Sequence, residues 1–560
     1  MRKDEPAQRP ADARDDDVSS DGGGDGDGGS RDTPHSDVSR RAFLKGTGVV
    51  AGTAVTATTP AAADMPWDST PAAVSAYVTH STGWLGDVTF PSGAVKQHET
   101  GDVEWIIEYN GTTYGDWLGD WVSAASNRVE LRHNTAEKRL LIAAPTGAVV
   151  PTSTFDLGVL GGGDTLAERS GIDLVAPNRV LTNTTPLTES DLISPGAWES
   201  PGTDIENTII GALPSSGARF NGEAGPYDLQ TAVTRTRADE TGESGGGVTV
   251  GIVDTGLNYN QDLYGDRVTA AKNTISGEEI DPAAGDYAAV VDGNGHGSWC
   301  ATAAAGNGDA TNGTGAAVSA TLVPVKALAD DGSGATTDIV EGIEYCAAQG
   351  CDVINLSLGA PVTSDPVVNA VEKALENGVT AVVTAAGNAR MTTHYMGSPA
   401  SADPTIPVAS IDSEPAAESL SAYYSSTGPN PQTGESMGVA AGGHRVTATV
   451  ADTDGTLNEN TLSGTSMAAP IVSGVVAQML AADSSLIGAA ETVRERLRAA
   501  AEPLPKCGVT EVGAGRVDAV RAVNGTASES TQKAARASEA QTRDALNKNL
   551  IETNWLTGWL

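Results

Sequence analysis

Two apolar patterns divide the chain. From Gly247 onward, short continuous runs of aliphatic and β-branched residues recur at 248–253, 322–325, 353–358 and 379–384. Runs of this length without polar alternation suit strands buried on both faces of a parallel sheet. Between and after them, Ala-rich stretches with helical spacing predict helices at about 296–305, 337–349, 367–377, 466–482 and 491–501. Strands alternating with helices place this region in the α/β class, as a doubly wound parallel sheet. Residues 102–181 read differently. A strand-like run (Val103, Trp105, Ile107) is followed by helical spacing through Trp117, Leu118, Trp121 and Val122. A second strand (Leu140, Leu141, Ile142), a short helix at 166–169 and a strand at 172–175 leading to Pro177 complete a split βαβ pattern. That pattern predicts a small α+β, ferredoxin-like unit ahead of the large one.

Polar stretches set the boundaries. Residues 1–38 are Asp, Gly, Ser and Arg with too little apolar surface to offset ordering, so they predict a disordered acidic leader. Next come Arg40-Arg41-Ala42-Phe43-Leu44-Lys45, a weakly apolar run at 46–57 and the small residues Ala61 to Ala63, which resemble a twin-arginine export signal. A run this short cannot span a bilayer, for which about 20 apolar residues are needed, and no other segment predicts a transmembrane span. The division expected is leader and signal over 1–64, the α+β unit over 70–185, a connector and start of the main body over 186–246, the α/β unit over 247–525 and a tail helix over 526–560. The Thr-, Ser-, Pro- and Gly-rich composition of 182–247 predicts that the connector is exposed.

Charge changes the picture of partners and surroundings. The net charge is −38, which removes the phosphate-neutralising surface that nucleic acid requires. Acids number 72 against 34 bases, of which only 10 are Lys, a balance suited to concentrated salt. The four cysteines, Cys300, Cys346, Cys351 and Cys507, allow three pairings in an exported chain. Of these, Cys346 with Cys351, bracketing a helix end, is the pair expected.

Three short segments carry chemistry. Asp254 ends the first strand of the α/β unit, at the carboxyl edge where open sheets build their sites. His296 stands between glycines at the head of a helix, 42 residues on. Ser466 heads a long small-residue helix whose N-terminal N–H groups favour negative charge, 170 residues further. A serine hydroxyl becomes a nucleophile when an imidazole takes its proton and a carboxylate orients that imidazole.

Asp254-Thr255-Gly256, Asn294-Gly295-His296-Gly297 and Gly464-Thr465-Ser466-Met467-Ala468 together resemble the signature blocks of the subtilisin-like serine proteases (peptidase family S8), in particular exported halophilic archaeal ones. The resemblance covers about half of the chain, 247–523. It implies a subtilisin-like fold, a serine endopeptidase acting on polypeptides, and Asp254, His296 and Ser466 as catalytic residues. It further implies that Asn388, in Gly387-Asn388, supplies an oxyanion-hole amide. Ser357, Leu358 and Gly359 would form the edge that binds an extended peptide. No cofactor is implied for the chemistry, while the 307–312 loop, with Asp309 and Asn312, resembles a calcium loop. The upstream unit resembles an inhibitory pro-domain whose tail, 175–181, would lie across the cleft. Cys300, one turn beyond His296, is expected as a buried thiol. Trp299 stands where the family usually has His, which puts the shape of a sub-site in question. Two other functions fit less of this pattern: a maturation protease of narrow specificity, and a non-catalytic scaffold that binds extended peptides.

Overall fold

A computed structural model describes residues 95–150, 166–183, 225–308, 312–360, 363–390, 395–430 and 433–530. The leader, the Arg40-Arg41 segment, Asp309 and residues 531–560 of the tail lie outside the described residues.

The upstream unit is an antiparallel sheet of β1 (Val103–Tyr109), β2 (Val129–Asn134), β3 (Arg139–Ala144) and β4 (Ile172–Pro177), in the order β2-β3-β1-β4. A helical segment over 114–123, whose last part is α1 (Gly119–Ser123), connects β1 to β2. This is the ferredoxin-like order expected, with β2 added where a polar sequence hid it. Every residue of β1 is buried, on both faces. Trp105, Ile107 and Tyr109 join Leu118, Trp121, Leu140 and Ile142 in the unit's own core. The alternate residues Glu104, Ile106 and Glu108 point the other way, and they too are buried. Glu108 meets Arg139 of its own sheet and Asn369 of the α/β unit on that side.

After β4 the chain forms β5 (Val180–Asn183), discussed below. The predicted exposed connector is then shorter than its composition suggests. β6 (Tyr227–Asp228) pairs with a later strand, and α2 (Leu229–Arg235) buries Leu229, Ala232 and Val233 in the main core. Those three apolar positions share one helical face, which outweighs the polar composition around them.

The main body is built on β7 (Thr249–Asp254), β8 (Ala271–Asn273), β9 (Glu278–Ile280), β10 (Thr321–Lys326), β11 (Ser333–Ala335), β12 (Val353–Leu356), β13 (Leu358–Gly359), β14 (Ala381–Ala385), β15 (Ile406–Ile411), β16 (Val439–Gly442), β17 (Val446–Ala451) and β18 (Leu457–Leu462). Eight of these form one sheet in the order β16-β15-β14-β12-β7-β10-β8-β9, all parallel except β9. β17, β18 and β6 form a separate small sheet. Helices α3 (His296–Ala305), α4 (Thr336–Ala348), α5 (Asp365–Glu376), α6 (Thr465–Ala482) and α7 (Ala490–Ala500) match the predicted positions within about two residues. Two apolar cores result. One contains α3 and α6 with Val250, Ile252 and Val383, and the other contains α4 and α5 with Val253, Val325 and Ile354. Adjacent residues of β7 thus serve opposite cores, as a doubly wound sheet requires. Helix α6 is long and apolar enough to cross a membrane, but it is the buried central helix of this body.

Candidate active site

Asp254 is the last residue of β7 and His296 the first of α3, and β7 and α3 pack together so that His296 Nδ1 lies 2.7 Å from Asp254 Oδ1. Both side chains are essentially inaccessible. A carboxylate only accepts, so this contact places the imidazole proton on Nδ1 and leaves Nε2 as the basic nitrogen. The close approach depends on Gly297. A Cβ there would stand 2.4 Å from the Gly256 carbonyl oxygen. Burial pulls the His296 pKa down, but the Asp254 carboxylate and Cys300 outweigh it and hold the imidazole well above its ordinary range.

A residue that the motif reading passed over fixes the loop into α3. Asp292 Oδ1 accepts from the N–H of Asn294 (3.1 Å) and Gly295 (2.7 Å), and Oδ2 accepts from Ser298 N and Oγ, each at 2.8 Å. The signal was available: an aspartate two or three residues ahead of unpaired helix N–H groups is an Asx turn.

Ser466 is the second residue of α6. Pro470, four residues on, has no N–H to give the Ser466 carbonyl. That orphan oxygen is taken up by side chains of two other segments, Ser357 Oγ at 3.1 Å and Cys300 Sγ at 3.5 Å. The Ser466 hydroxyl in turn donates to the Ser357 carbonyl at 3.2 Å. His296 Nε2 is buried and takes no hydrogen bond among the described residues, so the Ser466 hydroxyl and Nε2 are not joined in this arrangement. Asn388 Oδ1 accepts from Thr465 N at 3.0 Å and Oγ1 at 3.1 Å. Those bonds fix the amide so that Nδ2 faces Gly464 at the head of α6.

The predicted binding edge, Leu358 and Gly359, is paired with chain. β5 lies between β11 and β13, antiparallel to both, so that an extended segment of the upstream unit fills the groove beside Ser466. The expected tail of 175–181 reaches two residues further than predicted. The sheet of the upstream unit rests on α4 and α5. Arg139 bonds Glu108 and Glu344, Arg132 bonds Asp338 and Glu341, and Asn369 donates to Glu108.

Other expectations resolve as follows. Trp299 does not shape a sub-site: it is fully buried in the core and donates to the Asn460 carbonyl of β18. Cys300 is buried, and burial raises its thiol pKa, so it stays protonated at neutral pH. Cys346 and Cys351 are neighbours over Gly251 but are free thiols rather than a bridge. Asn312 donates to Glu459 at 2.8 Å, while its Oδ1 is buried without a hydrogen bond among the described residues.

Residues 245–538 match the Subtilase family, peptidase S8. The chain is 34% identical to subtilisin DY of Bacillus licheniformis over 282 residues, 50% of this chain and 92% of that protein. It is 34% identical to thermitase of Thermoactinomyces vulgaris, over 50% of this chain and 89% of the relative. It is 30% identical to halolysin of Haloferax mediterranei over 53% of each chain. Among solved structures, fervidolysin of Fervidobacterium pennivorans, a keratinolytic enzyme related to subtilisin, superposes with a TM-score of 0.57 at 21% identity. That superposition covers 79% of this chain and 63% of fervidolysin, and supports the fold alone.

Proposed function

Because the chain belongs to the subtilase family and is a serine endopeptidase, we propose that Ser466 is its nucleophile, His296 the base and Asp254 the residue that orients the base. The observation that carries this reading is the buried 2.7 Å contact between His296 Nδ1 and Asp254 Oδ1 beside the head of α6. A turn of the Ser466 side chain away from the Ser357 carbonyl brings its hydroxyl to Nε2. Nε2 takes the proton as Oγ attacks the substrate carbonyl, and returns it to the departing amine. The oxyanion is received by Asn388 Nδ2 and the N–H of Ser466, in a water-poor site where such donors act strongly. No cofactor takes part in these steps.

The upstream unit is read as an inhibitory pro-domain. Support comes from β5 in the groove and from Glu104 and Glu108 buried on the outer face of β1, away from that unit's own core. Residues 40–63 are read as a twin-arginine signal and the acidic surface as an adaptation to brine, which makes this an exported protease of a salt-loving cell. A calcium ion would find oxygen donors at Asn312 and Asp309, and the unpartnered Asn312 Oδ1 fits that use.

The test is direct. Wild-type protein should react with a fluorophosphonate at Ser466 and hydrolyse casein, while Ser466→Ala should fold and do neither. Labelling of Ser466→Ala at the wild-type rate would move the nucleophile elsewhere.

A further inference from the structure

We infer that Arg390 is a positioning residue for the oxyanion hole, acting through an ion pair with Glu511, 121 residues further along the chain. The inference rests on the reading of Asn388 as an oxyanion donor and adds the group that holds the turn of Asn388 in place.

The main chain on either side of Asn388 is bonded to its surroundings. Before it, Gly387 N donates to Thr465 Oγ1 at 3.0 Å, and the Gly387 carbonyl accepts from Ser426 N at 2.8 Å. After it, Ala389 N donates to Ser426 Oγ at 3.1 Å and Arg390 N donates to the Tyr424 carbonyl at 3.0 Å. Three of these four bonds go to Tyr424 and Ser426, so the turn is placed only as firmly as the 421–426 segment is.

The Arg390 side chain anchors both. Its guanidinium donates to Ser421 Oγ at 3.1 Å through Nη1 and to Glu511 Oε1 through Nη2. One planar group thus joins the oxyanion turn, the 421–426 segment and the short helix Val509–Val512. The side chains of Arg390 and Glu511 are only 12% and 14% exposed, so salt screens this pair much less than a surface pair. A guanidinium fork fixes direction as well as distance.

Glu511 is itself held. Its second oxygen accepts from Gly508 N at 2.7 Å, and the neighbouring Thr510 carbonyl accepts from Gly428 N at 2.9 Å. Ala386, just ahead of the turn, shares an apolar cluster with Cys507 and Val512, which flank Glu511 in sequence. The turn is therefore fastened to the Val509–Val512 segment by apolar packing and by charge.

An oxyanion donor acts only at the position where the oxyanion forms, and a displacement of about 1 Å can cost on the order of 10²-fold in rate. Loss of Arg390 leaves the Asn388 amide in the chain but frees its turn to move. The oxyanion exists in the transition state and not in the bound substrate, so the loss falls on kcat rather than KM.

Arg390→Met and Glu511→Gln test the proposal in the processed enzyme. The readings are kcat and KM on a peptide 4-nitroanilide, and inhibition by two analogues of that peptide. One is the aldehyde, whose adduct with Ser466 carries the oxyanion, and the other is the alcohol, which forms none. For each variant kcat should fall about tenfold or more and the aldehyde should weaken by a like factor, while KM and inhibition by the alcohol stay within about twofold. Arg390→Lys, which keeps the charge, should recover part of the loss. A role confined to stability would lower the melting temperature and move neither kcat nor the aldehyde. Glu511→Gln keeps its side chain's shape and serves as the test if Arg390→Met does not fold. In an Asn388→Ala background, adding Arg390→Met should change kcat by less than about twofold, because the group it positions is gone. A kcat near the wild-type value in the folded variants, or an undiminished loss in the Asn388→Ala background, would overturn the proposal and leave Asn388 as the donor. Unchanged aldehyde inhibition in Asn388→Ala alone would instead remove the oxyanion reading, and the proposal with it.

Discussion

At the scale of single residues, the protonation of His296 decides both rate and stability, with opposite signs. Burial lowers its pKa, but Asp254 and Cys300 more than reverse this and hold it well above the ordinary value of about 6.5. The charged imidazole therefore contributes folding stability below that value, and the contribution is lost as pH rises through the raised one. Catalysis needs the neutral form, so the acid limb of kcat/KM for the processed enzyme should have its midpoint above pH 6.5. Asp254→Asn should move that midpoint down and cut the rate on the order of 10⁴-fold. A pH profile with a midpoint at or below 6.5 in the wild type would contradict this. Asp254, His296, Ser466 and Asn388 were legible because each stands in a short motif whose glycines and helix start are visible in sequence. Asp292 and the role of Pro470 were not singled out. Their effect depends on which distant groups the fold brings to a loop and to a freed carbonyl.

At the scale of elements, the attachment of the upstream sheet to α4 and α5 separates buried from exposed charge. Arg139 is 6% exposed between Glu108 and Glu344. Its removal strands the buried Glu108 and the partly buried Glu344, which costs about 3 kcal/mol. Arg132 is more than a third exposed, and its pairs with Asp338 and Glu341 contribute about 0–1 kcal/mol. In the uncut Ser466→Ala chain, Arg139→Ala should open the upstream unit to limited proteolysis in denaturant far below the concentration that Arg132→Ala requires; equal sensitivity would mean that the ion pairs do not hold the two units together. Some of the strands that sequence missed share a cause. β2, β16 and β18 are short or polar, and β18 in particular carries Asn458, Glu459 and Asn460 between its terminal leucines. β2 and β18 are the polar halves of hairpins with β3 and β17, so each strand is set by pairing to its neighbour rather than by its own apolar pattern. α2 was hidden in the same way, by threonine and arginine around three apolar positions.

At the scale of the whole molecule, the net charge of −38 sets the dependence on salt. At about 0.1 M the screening length is about 10 Å, so surface carboxylates repel across several neighbours, whereas at 1 M it falls to about 3 Å. Melting temperature and hydrolysis of a neutral peptide by the processed enzyme should both rise between roughly 0.1 M and 3 M NaCl with calcium held constant. Equal values at the two concentrations would remove the adaptation to brine and leave the chemistry unaffected. The division into a small α+β unit and a parallel α/β unit was legible because apolar periodicity reports layers directly. The placing of one unit upon the other was not, since the polar face of β1 looks solvated until its partner is known. The carbonyl of Ser466, released by Pro470, has a consequence in time as well as in space. Its two partners lie 109 and 166 residues away along the chain, and contacts of such reach form late and slowly as a polypeptide folds. The oxygen is a common vertex for the sheet edge, the histidine helix and the serine helix, which meet there only when all three are in place. With Ser466 as the proposed nucleophile, a half-made enzyme would have none in working order, and cutting would have to wait until the chain has folded.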